Sequence, residues 1–187
     1  MPRAGLDHDT VVAAAATIAD AEDLDAVTLS RVAAELGVKS PSLYNHVAGR
    51  DALLRGIGLL GLAELAAALR DAAVGRSGDD ALLSAAQAYR KYVIAHPGRY
   101  AAGAITAPAP DDEDHQQAGA AIIDLLTTIL RGWNLSSDDA IHAIRAIRAS
   151  IHGFATLESS GGFGLHQDTD ESFDRLITAL STGLRAP

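Results

Sequence analysis

The side chains that could take part in recognition chemistry are grouped in one short segment of the sequence. Leu43 and Val47 are four residues apart, so both pack inward if this segment is helical. Ser42, Asn45 and His46 then point to the opposite side. Hydroxyl, amide and imidazole groups form hydrogen bonds, and an amide can pair with adenine through two of them at once. This polar face therefore has chemistry that suits the edges of DNA bases.

Cationic side chains stand on either side of this face. Lys39 precedes it and Arg50 follows it, at the positions where the phosphates of a bound duplex would run. Phosphate contacts fix the register of a protein on DNA but carry no sequence information directly. The segment thus combines groups suited to bases with groups suited to phosphates.

Three short helices are predicted to position these groups. The first covers residues 9–21, with the aspartate at its start as a possible cap. Thr28 caps the second helix and Gly37 ends it, while Ser40 caps a third helix over residues 41–47, which has a proline at its first position. Two short helices joined by a tight glycine turn form a helix-turn-helix, whose second helix can enter the major groove.

Composition limits the class of protein. The 187 residues carry a formal net charge of -9, which speaks against a simple polyanion binder. Ala and Leu dominate the 48% of residues that are hydrophobic, and this predicts a mostly helical chain. Cysteine is absent, which excludes disulfides, cysteine-based zinc sites and thiol catalysis.

Neither an enzyme nor a membrane protein is expected. The sequence has no nucleophile elbow, phosphate loop or dinucleotide fingerprint, and we expect no cofactor. His142 and His152 are ten residues apart, which is not a chelating spacing, so no metal is expected. The apolar stretch 57–69 is interrupted by Glu64 and is too short to cross a bilayer. The N-terminus lacks the apolar core of a signal peptide, so the cytoplasm is the expected location.

Four motifs within the first 55 residues form one pattern. They are Val27-Thr28-Leu29, Leu36-Gly37-Val38, Pro41-Ser42-Leu43-Tyr44-Asn45-His46-Val47 and Asp51-Ala52-Leu53-Leu54. This pattern resembles the DNA-binding domain of TetR-family transcriptional regulators, over residues 6–55. The resemblance implies that residues 41–47 are the recognition helix and that neighbouring residues hold phosphates. The implied DNA-contacting residues are Thr28, Arg31, Lys39, Ser40, Ser42, Tyr44, Asn45, His46 and Arg50.

Two features of this segment depart from that pattern. The family usually has Gly at the end of the first helix, where this chain has Asp23, and aspartate adopts a left-handed backbone only at a cost. Residues 1–55 also carry eight acidic against five basic side chains. We predict that the acidic cluster at residues 20–25 faces away from DNA.

Two domains are predicted, a DNA-binding domain over residues 1–50 and a larger helical domain over residues 51–187. The larger domain includes a short helix from Tyr100 to Thr106, before Pro108. Its Ile151-His152-Gly153-Phe154 segment resembles the C-terminal domain of a TetR subgroup with a Trp-His-Gly signature, although Ile151 replaces the Trp. That resemblance implies a four-helix dimer interface made by the last two long helices.

Aromatic and cationic residues of the larger domain suggest an effector site. Pockets are typically apolar and aromatic with a few polar groups, although core packing would explain the same aromatic residues equally well. A stripe of His142, Arg145, Arg148 and His152 suits either an anionic effector or salt bridges at the surface. The predicted effector-binding residues are Tyr92, His96, Tyr100, Leu126, Trp133, Arg148 and His152.

Apolar residues of the last two helices are candidates for the core or for a dimer seam. Their concentration there, together with the small Gly153, favours the seam. The predicted seam residues are Gly153, Phe154, Leu157, Phe173, Ile177, Leu180 and Leu184.

These patterns predict an all-α homodimer with an N-terminal three-helix bundle and a larger helical domain. It would bind a palindromic operator in double-stranded DNA and repress transcription until a small-molecule effector releases it. An alternative is a helical ligand-binding or protein-interaction module with a vestigial helix-turn-helix, which the negative charge of residues 1–55 would suit.

Overall fold

The computed structural model of the chain describes residues 6–103 and 110–185, and within these ranges it is helical without β-strands. The described α-helices are α1 His8–Ala21, α2 Leu29–Leu36, α3 Arg50–Ala73, α4 Gly78–Ala95, α5 Pro97–Gly103, α6 Glu113–Leu130, α7 Ser137–Ser159 and α8 Thr169–Leu184. Two short 3-10 helices, Ser40–Asn45 and Arg131–Trp133, lie between them. The predicted all-α class is confirmed.

The first two helices begin at side-chain caps. The carboxylate of Asp7 accepts a hydrogen bond from the N–H of Thr10 at 2.8 Å, so the cap of α1 is Asp7 and the predicted Asp9 cap was wrong. The Thr28 hydroxyl accepts from the N–H of Arg31 at 3.1 Å, and Gly37 ends α2 at a φ of 65°, both as predicted.

The chain turns after α1 without placing an aspartate in the left-handed backbone conformation. Asn134 is the one non-glycine with positive φ in the described part of the chain. Asp23 instead accepts a hydrogen bond from the N–H of Ala26 at 2.8 Å. The aspartate therefore stabilises the turn with its side chain and avoids the backbone strain expected from the family pattern.

The predicted third helix is a 3-10 helix, Ser40–Asn45. Lys39 occupies its cap position and provides no side-chain hydrogen bond, so the predicted Ser40 cap was wrong: Ser40 is already inside the helix. Pro41, within the first turn, needs no N–H partner there. The turn then continues, because the N–H of Val47 donates to the carbonyl of Leu43 at 3.0 Å.

Two compact units make up the chain. The first consists of Met1–Ala63 and His96–Gln116, and the second of Glu64–Ala95 and Gln117–Pro187. The first unit is thus larger than the DNA-binding domain predicted over residues 1–50, since it includes the start of α3, all of α5 and the start of α6. Helix α5 begins at Pro97, earlier than predicted, and the predicted end at Thr106 and the following Pro108 lie outside the described residues.

In the first unit, α5 packs against α1 and α3 so closely that the helix backbones are in contact. A Cβ on Gly58 would lie 2.8 Å from the carbonyl oxygen of Ala102, and one on Gly61 would lie 2.7 Å from that of Arg99. A Cβ on Gly98 would overlap the backbone of Ala19. Glycines at these crossings therefore allow the helices to touch. The core of this unit includes Val11, Ile18, Val32, Leu43, Val47, Leu53 and Ile57.

The second unit is built on the packing of α4, α7 and α8. Its most completely buried side chains include Leu82, Ile147, Ile151, Phe173 and Ile177. Ser136 caps α7 by accepting a hydrogen bond from the N–H of Asp139 at 3.1 Å, as its Ser-x-x-Asp pattern predicts.

Helix α3 is long and apolar enough to cross a bilayer by length and composition alone, with a mean hydropathy of 1.7 over 18 residues. Half of that window is buried inside the protein, where Leu62, Leu65 and Leu69 are nearly inaccessible. Glu64 also lies within the helix and accepts a hydrogen bond from the Tyr92 hydroxyl at 3.0 Å. These features are those of a core helix.

Candidate DNA-binding face

The 3-10 helix Ser40–Asn45 presents a polar face above two apolar anchors. Leu43 is fully buried and Val47 is 4% exposed, and both belong to the core of the first unit. Tyr44 and Asn45 are exposed, and Ser42 and His46 are half-buried. Tyr44 is 60% exposed, so its ring and hydroxyl are both accessible to a binding partner. The anchors therefore fix the direction in which the polar groups point.

Lys39, Ser40 and Thr28 lie beside this face in the first unit. Lys39 is exposed and, within the described part of the chain, forms no ion pair, so its ammonium group is available for phosphate. Ser40 is half-buried. The Thr28 hydroxyl is exposed but already caps α2 and lies 3.1 Å from the Ser30 hydroxyl.

Arg50 is tied to the corner between α1 and α2. Its guanidinium donates to the carbonyl of Leu24 at 2.7 Å and to that of Val27 at 2.9 Å, and it lies 3.6 Å from the Asp25 carboxylate. A free phosphate-binding arginine was expected here. The structure shows that Arg50 also satisfies two carbonyls that no helix satisfies.

Arg31 is held by carboxylates on both sides. Its Nε and Nη2 donate to Glu22 at 3.2 and 2.9 Å, and its Nη1 donates to Glu35 at 2.9 Å. The hydrogen bonds that Arg31 donates to Glu35 and Glu22 raise the pKa of Arg31. Sequence reasoning proposed Arg31 for phosphate binding and missed both partners. The Arg31 and Glu35 spacing of four residues on one helix was an available signal, whereas nothing in the sequence pointed to Glu22.

Asp20 faces into the first unit. Its carboxylate accepts from the backbone N–H of Arg99 at 3.0 Å, lies 3.0 Å from the Arg99 Nε and lies 3.1 Å from the His96 Nδ1. The acidic residues 20–25 therefore do not form one surface. Asp20 binds α5, Glu22 binds Arg31, Asp23 stabilises a turn and Asp25 lies near Arg50.

The acidic run at residues 111–114 is also engaged. Arg55 donates two hydrogen bonds to Asp112, at 2.8 and 2.7 Å, and one to Asp114 at 2.8 Å. Asp112 additionally accepts from the N–H of His115 at 3.1 Å at the start of α6. The hydrogen bonds from Arg55 are the main reason that the pKa of Asp112 is lowered.

The predicted effector-binding residues are divided between the two units. His96 and Tyr100 belong to the first unit, where Tyr100 is buried. The other five belong to the second unit, in which Tyr92, Leu126 and Trp133 are buried, His152 is half-buried and Arg148 is exposed. An open groove of about 940 Å³ runs along α8, but it is lined by other residues: Asp168, Asp170, Glu171, Asp174, Arg175, Thr178, Ala179, Thr182 and Gly183.

Trp133 carries an unsatisfied polar group inside the second unit. Its ring is 8% exposed and is covered by the Arg185 guanidinium at 4.4 Å. Its indole Nε1 is buried and donates to no acceptor among the described residues. Buried donors normally have a partner, so this N–H stands out among the polar groups of the described residues.

Two of the predicted dimer residues are core residues. Phe173 is fully buried and Ile177 is 2% exposed within a single chain, so both pack in the core of the second unit, the alternative that their sequence pattern left open. Phe154 is half-buried and packs against Phe163 and Phe173, with ring centroids 4.7 and 5.1 Å away. The remaining four keep accessible surface: Leu157 is exposed, and Gly153, Leu180 and Leu184 are half-buried.

The cationic stripe on α7 lies mainly at the surface of the chain. His142, Arg145 and Arg148 are exposed, and His152 is half-buried. Among the described residues, no cluster of three or more His, Asp or Glu side chains could hold a metal ion.

Two family models match this chain. Residues 11–57 match the family described as bacterial regulatory proteins, tetR family, and residues 82–180 match the tetracyclin repressor-like, C-terminal domain. The chain belongs to the TetR family of DNA-binding transcriptional regulators, so the helix-turn-helix described above is its DNA-binding element. Regulators of this family are generally not enzymes. Membership of the Trp-His-Gly subgroup stays a prediction.

Similar proteins cover almost the whole chain. The uncharacterized HTH-type transcriptional regulator YobS of Bacillus subtilis is 35% identical over 184 residues, which are 98% of this chain and 95% of that protein. A Rhodococcus protein of unknown function superposes with a TM-score of 0.83 at 25% identity, over the full length of both chains. A TetR variant of Acinetobacter baumannii in complex with minocycline has the same fold, with a TM-score of 0.72 at 22% identity over 98% of this chain and all of that one.

Proposed function

We propose that this regulator represses transcription as a cytoplasmic homodimer that is released from a palindromic operator by a small molecule, and that it is not an enzyme. Residues 1–50 would provide the DNA contacts, and residues 51–187 would dimerise and bind the effector. The observation that carries the DNA contacts is the exposed polar face of the 3-10 helix above its buried anchors Leu43 and Val47. In a dimer, two such faces would enter successive major grooves about 34–36 Å apart.

Each polar residue of this face has a distinct proposed role. Asn45 contacts a base, because its exposed amide can pair bidentately with adenine. Ser42, Tyr44 and His46 contact neighbouring bases or the adjacent sugar-phosphate backbone of the DNA. Lys39, Ser40, Thr28 and Arg50 contact phosphates, and Lys39 is the less engaged of the two cations, since Arg50 also donates to the Leu24 and Val27 carbonyls.

The experiment that tests these roles is a binding assay on operator DNA. An operator is selected from a random-sequence library with the purified protein, and binding of variants is measured at several salt concentrations. Asn45→Ala should change the preferred sequence, whereas Lys39→Ala should weaken binding to all sequences and lower the salt slope by about one unit. The assignment is contradicted if the two variants behave alike, and the proposed function fails if no sequence-specific complex forms at any salt concentration.

For the effector, we propose that Trp133 donates a hydrogen bond to a ligand oxygen in the second unit. Its buried Nε1, which has no acceptor among the described residues, supports this role, and so does the minocycline complex of the A. baumannii protein of similar fold. Within the second unit, the other residues proposed for this site are Tyr92, Leu126, Arg148 and His152. An effector that favours a conformation with lower operator affinity would shift the population away from DNA.

The Trp133 role can be separated from its packing role. Trp133→Phe removes the N–H and keeps an aromatic ring, so operator affinity should be unchanged while more effector is needed for release. The effector is found by screening small molecules for release of the selected operator. Equal sensitivity of the two proteins to that molecule would contradict a hydrogen bond from Trp133.

The proposed dimer seam consists of the accessible members of the predicted set, Gly153, Leu157, Leu180 and Leu184, together with the half-buried Phe154. Leu157 on α7 is 52% exposed in the single chain, and Leu180 and Leu184 on α8 are half-buried, so all three keep apolar surface that a second copy could cover. Leu157→Glu should lower the molar mass measured by light scattering from that of a dimer to that of a monomer. A dimer that survives this change would exclude Leu157 from the seam.

A further inference from the structure

A compact ion-pair cluster, which we call the Arg31 cluster, lies at the edge of the helix-turn-helix and consists of Arg31, Glu22 and Glu35. Three of the five guanidinium N–H groups of Arg31 donate to these carboxylates, at distances between 2.9 and 3.2 Å. Glu22 accepts two of these bonds at the end of α1, and Glu35 accepts the third from the next turn of α2, so the guanidinium is held from two sides. Arg31 is therefore oriented by its neighbours before any DNA arrives.

The charge of the Arg31 cluster is negative. Two carboxylates surround one guanidinium, and the side chains are 39% exposed for Arg31 and 45% exposed for each glutamate. All three groups therefore face solvent. A phosphate that approaches this surface meets a net charge of the same sign as its own, so Arg31 contributes little attraction despite its position on the first helix of the helix-turn-helix.

Lys39 provides the contrast within the same unit. It is exposed and has no carboxylate partner among the residues that the structure describes. Attraction between cations and phosphates accounts for essentially all binding to DNA of arbitrary sequence. Neutralising one of the few cations near the DNA-binding face therefore lowers sequence-independent binding more than it lowers binding through base contacts.

We propose that Glu22 and Glu35 are specificity-determining residues, which suppress binding to DNA of arbitrary sequence by pairing with Arg31. This inference rests on the DNA-binding face proposed above. Exposed ion pairs contribute little to stability, so a purely structural role would explain the cluster poorly. With Arg31 neutralised, operator binding depends on the polar face of the 3-10 helix and on the cations Lys39 and Arg50.

The test uses the full-length protein and a 30-base-pair duplex of random sequence, with affinity measured at several salt concentrations. In the double variant Glu22→Gln with Glu35→Gln, the amide oxygens can still accept from Arg31, but the surrounding negative charge is gone. We expect on the order of tenfold tighter binding to the random duplex at low salt, and a salt slope steeper by about one unit for each bound chain. Adding Arg31→Ala should abolish this gain, because the gain comes from the released guanidinium.

Matched controls separate this effect from a general change in net charge. The variant Asp80→Asn with Glu171→Gln removes two exposed carboxylates that pair with arginines in the second unit, Arg76 and Arg175, and it should bind the random duplex like the wild type. Thermal unfolding of each variant checks that the fold is kept.

The inference is overturned if the double variant binds random DNA no more tightly than the wild type, if Arg31→Ala leaves the gain intact, or if the control variant gains equally. These outcomes differ from failure of the proposed function. If the wild type selects no operator from a random library, the DNA-binding face itself is wrong. If it does select one while the glutamine variants behave as wild type on random DNA, only the role of the Arg31 cluster is wrong.

Discussion

In the first unit, α5 packs on α1 and α3 through glycines at backbone distance, whereas in the second unit α4, α7 and α8 meet around one guanidinium. Arg90 is 9% exposed, donates twice to Glu158 and once to Asp170, and lies 5.3 and 5.0 Å from the ring centroids of Phe154 and Phe173. Its pKa is raised mainly by the hydrogen bonds with Glu158. We therefore expect added volume at a helix crossing to destabilise the first unit, and loss of one charge from the buried ion pair to destabilise the second.

The largest expected effect tests the charge side of this comparison. Arg90→Met keeps an unbranched side chain against the two aromatic rings but leaves Glu158 without its partner. Breaking a largely buried pair costs about 3 kcal/mol of the free energy of unfolding, which urea denaturation measures. Arg175→Met, which breaks the exposed pair with Glu171, is the control and should cost less than about 0.5 kcal/mol. Similar losses in the two variants would show that burial of Arg90 is unimportant.

The volume side of the comparison is tested at Gly98. The Cβ of Gly98→Ala would overlap the backbone of Ala19, so α5 has to move away from α1. Forced overpacking of this kind costs about 2 kcal/mol of the free energy of unfolding. Gly119→Ala is the control, since nothing lies within 4 Å of the added methyl group and a helix gains about 0.5 kcal/mol or more from this change. If Gly98→Ala is as stable as the wild type, the stability of the first unit does not depend on the close approach of α5 to α1.

A smaller expected effect on stability distinguishes the structural role of Arg50 from the role of Lys39 in the first unit. Arg50→Ala removes the donors to the Leu24 and Val27 carbonyls and should lower the free energy of unfolding by about 1 kcal/mol. Lys39→Ala should change it by less than about 0.5 kcal/mol, because Lys39 is an exposed residue without such contacts. Both changes should weaken DNA binding, so stability is the measurement that separates them. Equal stabilities would mean that Arg50 acts on phosphates alone.

The parts of the fold that could be predicted from the sequence depend on local interactions. The Thr28 cap, the left-handed Gly37 and the Ser136 cap each involve residues within a few positions, so the motif contains all the information needed. The end of α1 at Ala21 was predicted for the same reason. The inward direction of Leu43 and Val47 followed from their spacing alone.

The remaining features depend on partners that are distant in the sequence. Asp20 and Arg99 are 79 positions apart, and Arg90 and Glu158 are 68 positions apart, so no local pattern could join them. Phe173 was assigned to a dimer seam because an apolar stripe on a helix looks the same whether it faces its own core or a second chain. Only the packing of α8 within the second unit distinguishes a core stripe from a dimer stripe.

The smallest expected effect concerns the pH dependence of the ion pair that holds the start of α6 in the first unit. Hydrogen bonds from Arg55 lower the pKa of Asp112 below its ordinary value of 3.8, so the folded chain binds this proton less readily than the unfolded chain does. The stabilisation that Asp112 contributes is therefore present above that ordinary pKa and is lost as the pH falls through the lowered value.

Asp112→Asn keeps an acceptor for the N–H of His115 but cannot ionise. The wild type should be more stable than this variant near neutral pH, and the difference should shrink as the pH falls through the lowered pKa of Asp112. Denaturation measured at a series of pH values checks this, and a difference that stays constant with pH would show that the charge of Asp112 has no part in holding α6.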